Sequence, residues 1–384
     1  MLKSFFVKNF RGFEQLTLPS LGRVNLFVGK NNTGKSSLLE ALRIYVSGAE
    51  PSLLAELTEA RDESWEFDLF PTEETLLPPS EPGMRHLFHG FHLPAPNNPG
   101  IFLAESKDDP KAIRIEVVEL QISRDEEGRT RRSIVTQDLF DDDLGQIEQG
   151  IRVHQGDESR MIPLEPNFYD LRRMRRIMPN PSFNPGRVHL VPSSNMPTSS
   201  LTAMWDTVNL TELEEEVVKA LQIIDLDIQA LAMVGDTMYG PDRLRRNARS
   251  ARIPVVRRKG SGGRIPIKTL GDGMLRMFEI SLALINAKGG VLLIDEIENG
   301  LHWSIHNQLW DLIFRLSEKL NVQVFATTHS LDCSRAFSKS WNIFPDDGSF
   351  FRLEHEDVTS STIRPIEYDP ETLRDSIELD IEVR

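Results

Sequence analysis

Gly29-Lys30-Asn31-Asn32-Thr33-Gly34-Lys35-Ser36 lies between an apolar run, Val24 to Val28, and a Leu/Ala-rich run, Ser37 to Leu42. The first run reads as a buried strand and the second as a helix, so the glycines fall on a strand-to-helix turn, the setting a phosphate-binding loop needs. Gly29 and Gly34 let backbone N–H groups turn inward around phosphate oxygens, and the helix opening at Lys35 adds the positive end of its dipole. The Lys35 ammonium is placed to reach the β- and γ-phosphates of a bound nucleotide, and the Ser36 hydroxyl to hold Mg2+. Asn31, Asn32, Thr33 and Ser37 complete the expected nucleotide contacts.

A second chemical stretch, Gly289 to Glu296, is an apolar strand ending in two carboxylates. In a parallel sheet that places Asp295 and Glu296 at the carboxyl edge, where ligands bind and where Lys35 also lies. Asp295 suits a metal ligand and Glu296 a general base that polarises an attacking water. Upstream, Gly271-Asp272-Gly273 opens an apolar-periodic helix over Met277 to Ala287 and offers another helix N-terminus to an anion. Downstream, the run Val322 to Ser330 is a strand that ends in His329, a candidate γ-phosphate sensor.

The elements that must position these residues are legible in part. Residues 2 to 8 and 14 to 18 read as short strands, and the helix after the loop as Lys35 to about Val46. Gly48 to Pro110 is rich in proline with no sustained period. The alternation from Ile113 to Ile122 reads as a strand, with Ser133 to Gln137 as its hairpin partner, and Asp138 to Asp143 as an acidic connector. Leu164 to Met178, carrying Arg172, Arg173, Arg175 and Arg176, reads as a surface helix, and Val188 to Pro192 as a core strand. Thr211 to Leu231 reads as one helix with a capping box at Thr211 and Glu214 and an apolar face of Leu213, Val217, Leu221, Ile224 and Ile228.

The 384 residues are enough for one large domain with insertions, or two. A net charge of −14 argues against wholesale electrostatic binding of nucleic acid but leaves room for a local basic patch. Arg243 to Lys268 is such a patch, with ten cationic side chains opposed by Asp242 alone. It reads either as a polyphosphate or nucleic-acid contact or as a solvated hairpin. The single cysteine, Cys333, excludes an intrachain disulfide and fits a reducing cytoplasm. The chain has no apolar run long enough for a membrane span, and Leu2 to Val7 is too short for a signal sequence.

These motifs, in this order, resemble the ABC-type ATPases of the SMC, RecF and OLD (overcoming lysogenization defect) group over residues 1 to 48 and roughly 185 to 345. The resemblance implies an α/β P-loop NTPase fold of ABC-ATPase type, with a mostly parallel core sheet, an antiparallel β subdomain and a helical insertion. It makes 49 to 184 the insertion and 346 to 384 a C-terminal tail. By similarity, Gly29 to Ser36 is the Walker A loop, Leu270 to Met274 the signature, Asp295 and Glu296 the Walker B pair and His329 the switch histidine. Arg11, in its Asn-Phe-Arg setting, would lie beside the nucleotide. Gly271 replaces the usual signature serine, so contact with a second subunit's γ-phosphate would rest on backbone N–H groups, with Lys268 or Arg276 assisting. The glutamine loop has no clear place, Gln121 and Gln137 being its candidates.

The run from Glu298 to His302 resembles OLD-type ATPases more than transporter subunits. Those nucleases carry a Toprim domain after the ATPase, for which 346 to 384 leaves no room. The resemblance therefore implies an ATPase that dimerises, or assembles further, on sandwiched ATP and regulates a nuclease or other effector on a separate chain, as in phage defence. The alternatives are a repair or replication ATPase clamping duplex DNA through Arg243 to Lys268, a transporter's nucleotide-binding subunit, and a scaffold timed by slow hydrolysis.

Overall fold

In a computed structural model, residues 1–63, 83–96, 98–106, 108–124, 130–135, 147–164, 187–235, 252–356 and 362–379 are described. The helix expected over 164 to 178, the connector at 138 to 143, Gln137, and Arg243 to Arg249 lie outside them, save for Leu164.

Three runs buried along their whole length make the centre of a six-stranded sheet: β3 (Val24–Val28), β13 (Val291–Ile294) and β14 (Gln323–Thr327), their polar residues Asn25, Gln323 and Thr327 being hydrogen-bonded. Neither face of these strands meets water, so layers cover both sides. The strand order is β16 (Ile363–Tyr368), β15 (Gly348–His355), β3, β14, β13 and β9 (Val188–Val191). All neighbours are parallel except β15 and β16. The expected α/β class with a mostly parallel sheet is the one observed.

Alternate residues of each strand serve different cores, as a period of two requires. Val24, Leu26, Leu292, Ile294, Val324 and Ala326 pack among the helices α3 (Thr198–Val208), α4 (Glu214–Gln222), α5 (Asp272–Asn286), α6 (His306–Leu320) and α7 (Leu331–Ile343). Phe27, Leu293, Phe325 and Phe351 face the other way, toward α1 (Lys35–Ser47), α2 (Pro51–Glu59) and a second sheet. On that side Phe27 stacks between Phe325 and Phe351 at 6.4 and 5.6 Å. This row of rings ties three strands together below the phosphate loop.

The second sheet is antiparallel. It joins β1 (Phe5–Phe10) and β2 (Phe13–Leu18) to β4 (Ile101–Ala104), β5 (Ile113–Arg124), β6 (Thr130–Ile134), β7 (Ile147–Gln155) and β8 (Glu158–Pro163). Strands from the expected insertion thus pair directly with residues assigned to the core, Phe6 opposing Ala104 and Lys8 opposing Phe102.

Two expectations are corrected. Residues 346 to 384 are not only a tail: Gly348–His355 pairs in parallel with β3, and Ile363–Tyr368 adds the sheet's edge. The run mixes Arg352 and Glu354 with its phenylalanines, which hides its place next to the central strand. Chain-end residues that belong to a packed sheet should carry stability. Ile363→Val is expected to lower the unfolding free energy by about 0.5–1.5 kcal/mol in urea titrations.

The helix read over Thr211 to Leu231 is the second correction. It stops at Gln222, and β10 (Ile228–Gly235) follows. Between them Asp225 accepts from the Asp227 amide at 3.0 Å, and both carboxylates pair with Arg258. This local turn competes with helix continuation. Ile228 fits the helical period but is the first residue of a strand. The expected capping box does not form at the helix start, whose N-cap is Leu213 without a side-chain cap; Thr211 Oγ1 accepts from Leu213 N and the Glu214 carboxylate from Leu210 N in the turn before it.

Candidate active site

The phosphate loop follows β3 directly. Gly29 has φ 147°, and a Cβ there would lie 2.4 Å from the Leu353 carbonyl oxygen of β15. The close approach of the added sheet strand, as well as the turn, therefore demands glycine. Gly34 caps α1 in the left-handed region, with the Phe13 ring where a Cβ would be. The Lys35 ammonium donates to the carbonyls of Gly29 at 2.6 Å and Lys30 at 2.9 Å, spanning the loop. Partial burial holds its pKa below the usual lysine value, against the pull of Asp295, Glu296 and Glu298.

Asn31 and Asn32 are exposed at the loop's tip, Asn32 with φ 66°. The Thr33 side chain is turned inward, its hydroxyl donating to the Lys30 carbonyl at 2.9 Å, and Ser37 is buried. For these two residues the structure gives loop closure and packing rather than exposed side-chain contacts.

The acid-ended strand arrives beside this loop. Ser36 Oγ donates to Asp295 Oδ2 at 3.0 Å across 259 residues of sequence. Thr327, at the end of β14, donates to Asp295 Oδ1 at 2.6 Å and accepts from the Glu296 amide at 2.8 Å. One buried hydroxyl thus aims both acids. Glu296 has φ 46°, unusual for a residue with a side chain. Asn299 Nδ2 donates to its Oε2 at 2.7 Å. His329 Nδ1 lies 3.9 Å from Glu296 Oε1 and 3.2 Å from Glu298 Oε1, while the His329 amide donates to Glu298 at 3.0 Å. Lys35, Ser36, Asp295, Glu296 and His329 are therefore brought to one edge, as expected.

Thr327, Glu298 and Asn299 were missed. A threonine after an apolar strand is an ordinary strand end, and only the pairing of β13 with β14 gives this one its role. Thr327→Val keeps the shape and removes a hydrogen bond to a charged group, a loss of about 1.5–3 kcal/mol. Its kcat/KM for ATP should fall roughly tenfold to a hundredfold in a steady-state phosphate-release assay.

Arg11 does not reach the site through an unpaired head group. Its guanidinium is 2% exposed and pairs with Glu40 at 2.5 Å and Glu63 at 2.8 Å, with further hydrogen bonds to the His86 and Leu57 carbonyls. A buried arginine needs such partners, and with them it braces α1 against α2. Arg276 is corrected as well. It is buried, donates to the carbonyls of Pro192 at 2.5 Å, Asp295 at 2.6 Å and Glu296 at 3.0 Å, and sits beside the buried Glu279. It clamps the backbone behind the two acids and cannot present itself to a second subunit.

Gly271 and Asp272 are exposed at the start of α5, which has no side-chain cap. Gly273 packs on the loop after the acids, where a Cβ would lie 2.7 Å from the Gly300 carbonyl oxygen. Lys268 is exposed one turn earlier, and Gln121 lies in β5, opposite Ser133 and Ile147.

Residues 1–122 match the family described as "AAA ATPase domain", and residues 156–332 match "AAA domain, putative AbiEii toxin, Type IV TA system". The chain is 23% identical over 353 residues to the ATP/GTP phosphatase of Helicobacter pylori, a match covering 86% of this chain and 85% of that protein. A stretch of 50 residues is 48% identical to the uncharacterized protein MJECL10 of Methanocaldococcus jannaschii, spanning 13% of this chain and 23% of that one. The SmcHead bound to the C-winged helix domain of ScpA overlays with a TM-score of 0.47 at 11% identity, covering 97% of this chain and 99% of its own. The SMC head domain from Thermotoga maritima gives 0.40 at 13%, covering 96% and 99%. With the phosphate loop and the acid-ended strand meeting at one sheet edge, and AAA ATPase families matched on both sides of that geometry, the chain is a P-loop ATP hydrolase.

Proposed function

We propose that this ATPase works as a nucleotide-gated switch. One copy holds Mg·ATP on Lys35, Ser36 and Asp295, Glu296 activates the water, and Gly271 to Gly273 of a second copy caps the γ-phosphate. The observation that carries the reading is the meeting of Ser36 and Asp295 at 3.0 Å, one residue from the loop lysine and one from the candidate base. Their hydroxyl and carboxylate are the hard oxygen donors that suit Mg2+. Bound there, the ion would neutralise phosphate charge. The remaining steps belong to the chain: Lys35 orients the phosphates, Glu296 takes the proton of the water, and Asn299 and Thr327 hold Glu296 in place.

The exposed, uncapped start of α5 supports the capping step, since such a terminus attracts anions. ATP that contacts both copies binds the closed pair more tightly than separate ones, and this difference shifts the population. By the resemblance to the OLD group, the output is read by an effector, a nuclease. Sedimentation of Glu296→Gln with and without Mg·ATP tests the switch. The expected result is a nucleotide-dependent dimer, and an unchanged sedimentation coefficient would reject it. Co-purification from the native source tests the effector.

A further inference from the structure

The three-stranded sheet of β10, β11 (Arg252–Arg258) and β12 (Arg264–Pro266) holds charges that the ATPase site does not use. Arg257 of β11 stands directly opposite Arg264 of β12. Like charges in that position repel. Both side chains are exposed, and neither makes an ion pair or hydrogen bond among the described residues. The other arginines of β11 are treated differently: Arg252 pairs with Asp206 at 2.7 Å, and Arg258 with Asp225 at 2.7 Å and Asp227 at 3.4 Å. A chain with fourteen more acidic than basic side chains has put carboxylates beside those two and, among the described residues, pairs none with the opposed pair.

The loop joining the pair, Lys259-Gly260-Ser261-Gly262-Gly263, is open. A Cβ at any of its glycines would touch nothing within 4 Å, so a ligand can approach the backbone itself. A concavity of about 340 Å3 lies here, with Arg257 and Arg264 at its rim, Ser261 to Gly263 at one side and Ala230 and Val255 in its floor. On the same outward face Ala232 and Pro266 extend the floor, while Leu231, Val256 and Ile265 face the core.

We propose that the Arg257–Arg264 hairpin is a phosphate-binding site separate from the nucleotide loop, and that its ligand is the phosphodiester backbone of a nucleic acid. A bridging phosphate converts the repulsion of the two guanidinium groups into two charge-assisted contacts. The apolar floor leaves room for the sugar or base beside it. Because β12 leads within a few residues into the start of α5, an occupied hairpin adjoins the segment that caps ATP in the proposed switch. The site itself does not depend on that reading.

The test uses the full chain and two probes, a labelled oligonucleotide in single- and double-stranded form and inorganic triphosphate, with wild type, Arg257→Ala/Arg264→Ala and Lys288→Ala/Lys339→Ala. The last pair removes the same charge from exposed positions elsewhere. Oligonucleotide affinity should fall at least about tenfold in the arginine variant only, and the slope of log affinity against log salt should drop by about 1, the value for one bridged phosphate. The thermal midpoint should stay or rise, since a repulsion is removed; a structural pair would lower it. Loss of triphosphate binding alone would keep the phosphate site and move its ligand from the polymer to a free polyphosphate. Equal binding of both probes by all three proteins, or equal losses in the two variants, overturns the proposal.

Discussion

Glu296→Gln is expected to slow ATP turnover by roughly 10²- to 10⁴-fold, the contribution of a positioned general base, while leaving ATP binding within about twofold of the parent. The amide keeps the size of the side chain and an oxygen for Asn299 Nδ2, so the local geometry survives. What it loses is the capacity to take a proton. Single-turnover phosphate release, with binding measured separately by a fluorescent nucleotide, separates the two effects. Turnover at the parental rate would move the base to another group. His329, whose ring nitrogen lies 3.9 Å from the Glu296 carboxylate, would be the next to substitute.

Lys35→Ala should act on binding instead. The ammonium already lies over the loop, hydrogen-bonded to the carbonyls of Gly29 and Lys30, and a bound nucleotide offers it phosphate oxygens of opposite charge. Two charge-assisted bonds at about 1.5–3 kcal/mol each correspond to a loss of affinity of roughly 10²- to 10⁴-fold. Partial burial sharpens this, because a half-desolvated lysine gains more from a phosphate than a solvated one. Isothermal titration with ATP measures it. Arg11→Ala offers a contrast: it breaks buried pairs with Glu40 and Glu63, so it should lower stability before it lowers nucleotide affinity in the folded fraction.

The phosphate loop, both acids and the histidine were readable because each is a short motif at the end of an apolar run, and burial on both faces leaves such runs little choice but the sheet centre. The residues that aim them were not. Thr327 and Glu298 acquire their roles only when β14 lies beside β13, a pairing that no local pattern encodes. Arg11 illustrates the converse, in which a motif setting placed a cation beside the nucleotide and the fold pairs it with carboxylates of α1 and of the segment after α2. Gly348–His355 escaped notice for a related reason. Its strand carries charges among its apolar residues, yet its backbone fills the place next to β3 and supplies the carbonyl that makes glycine obligatory at position 29.

The most direct test of the account is a structure of Glu296→Gln bound to Mg·ATP. It should show the metal held between Ser36 Oγ and Asp295, the Lys35 ammonium on the β- and γ-phosphates, and the residue at 296 facing the terminal phosphate. Nucleotide seated away from Gly29 to Ser36, or a side chain at 296 turned from the phosphates, would contradict it.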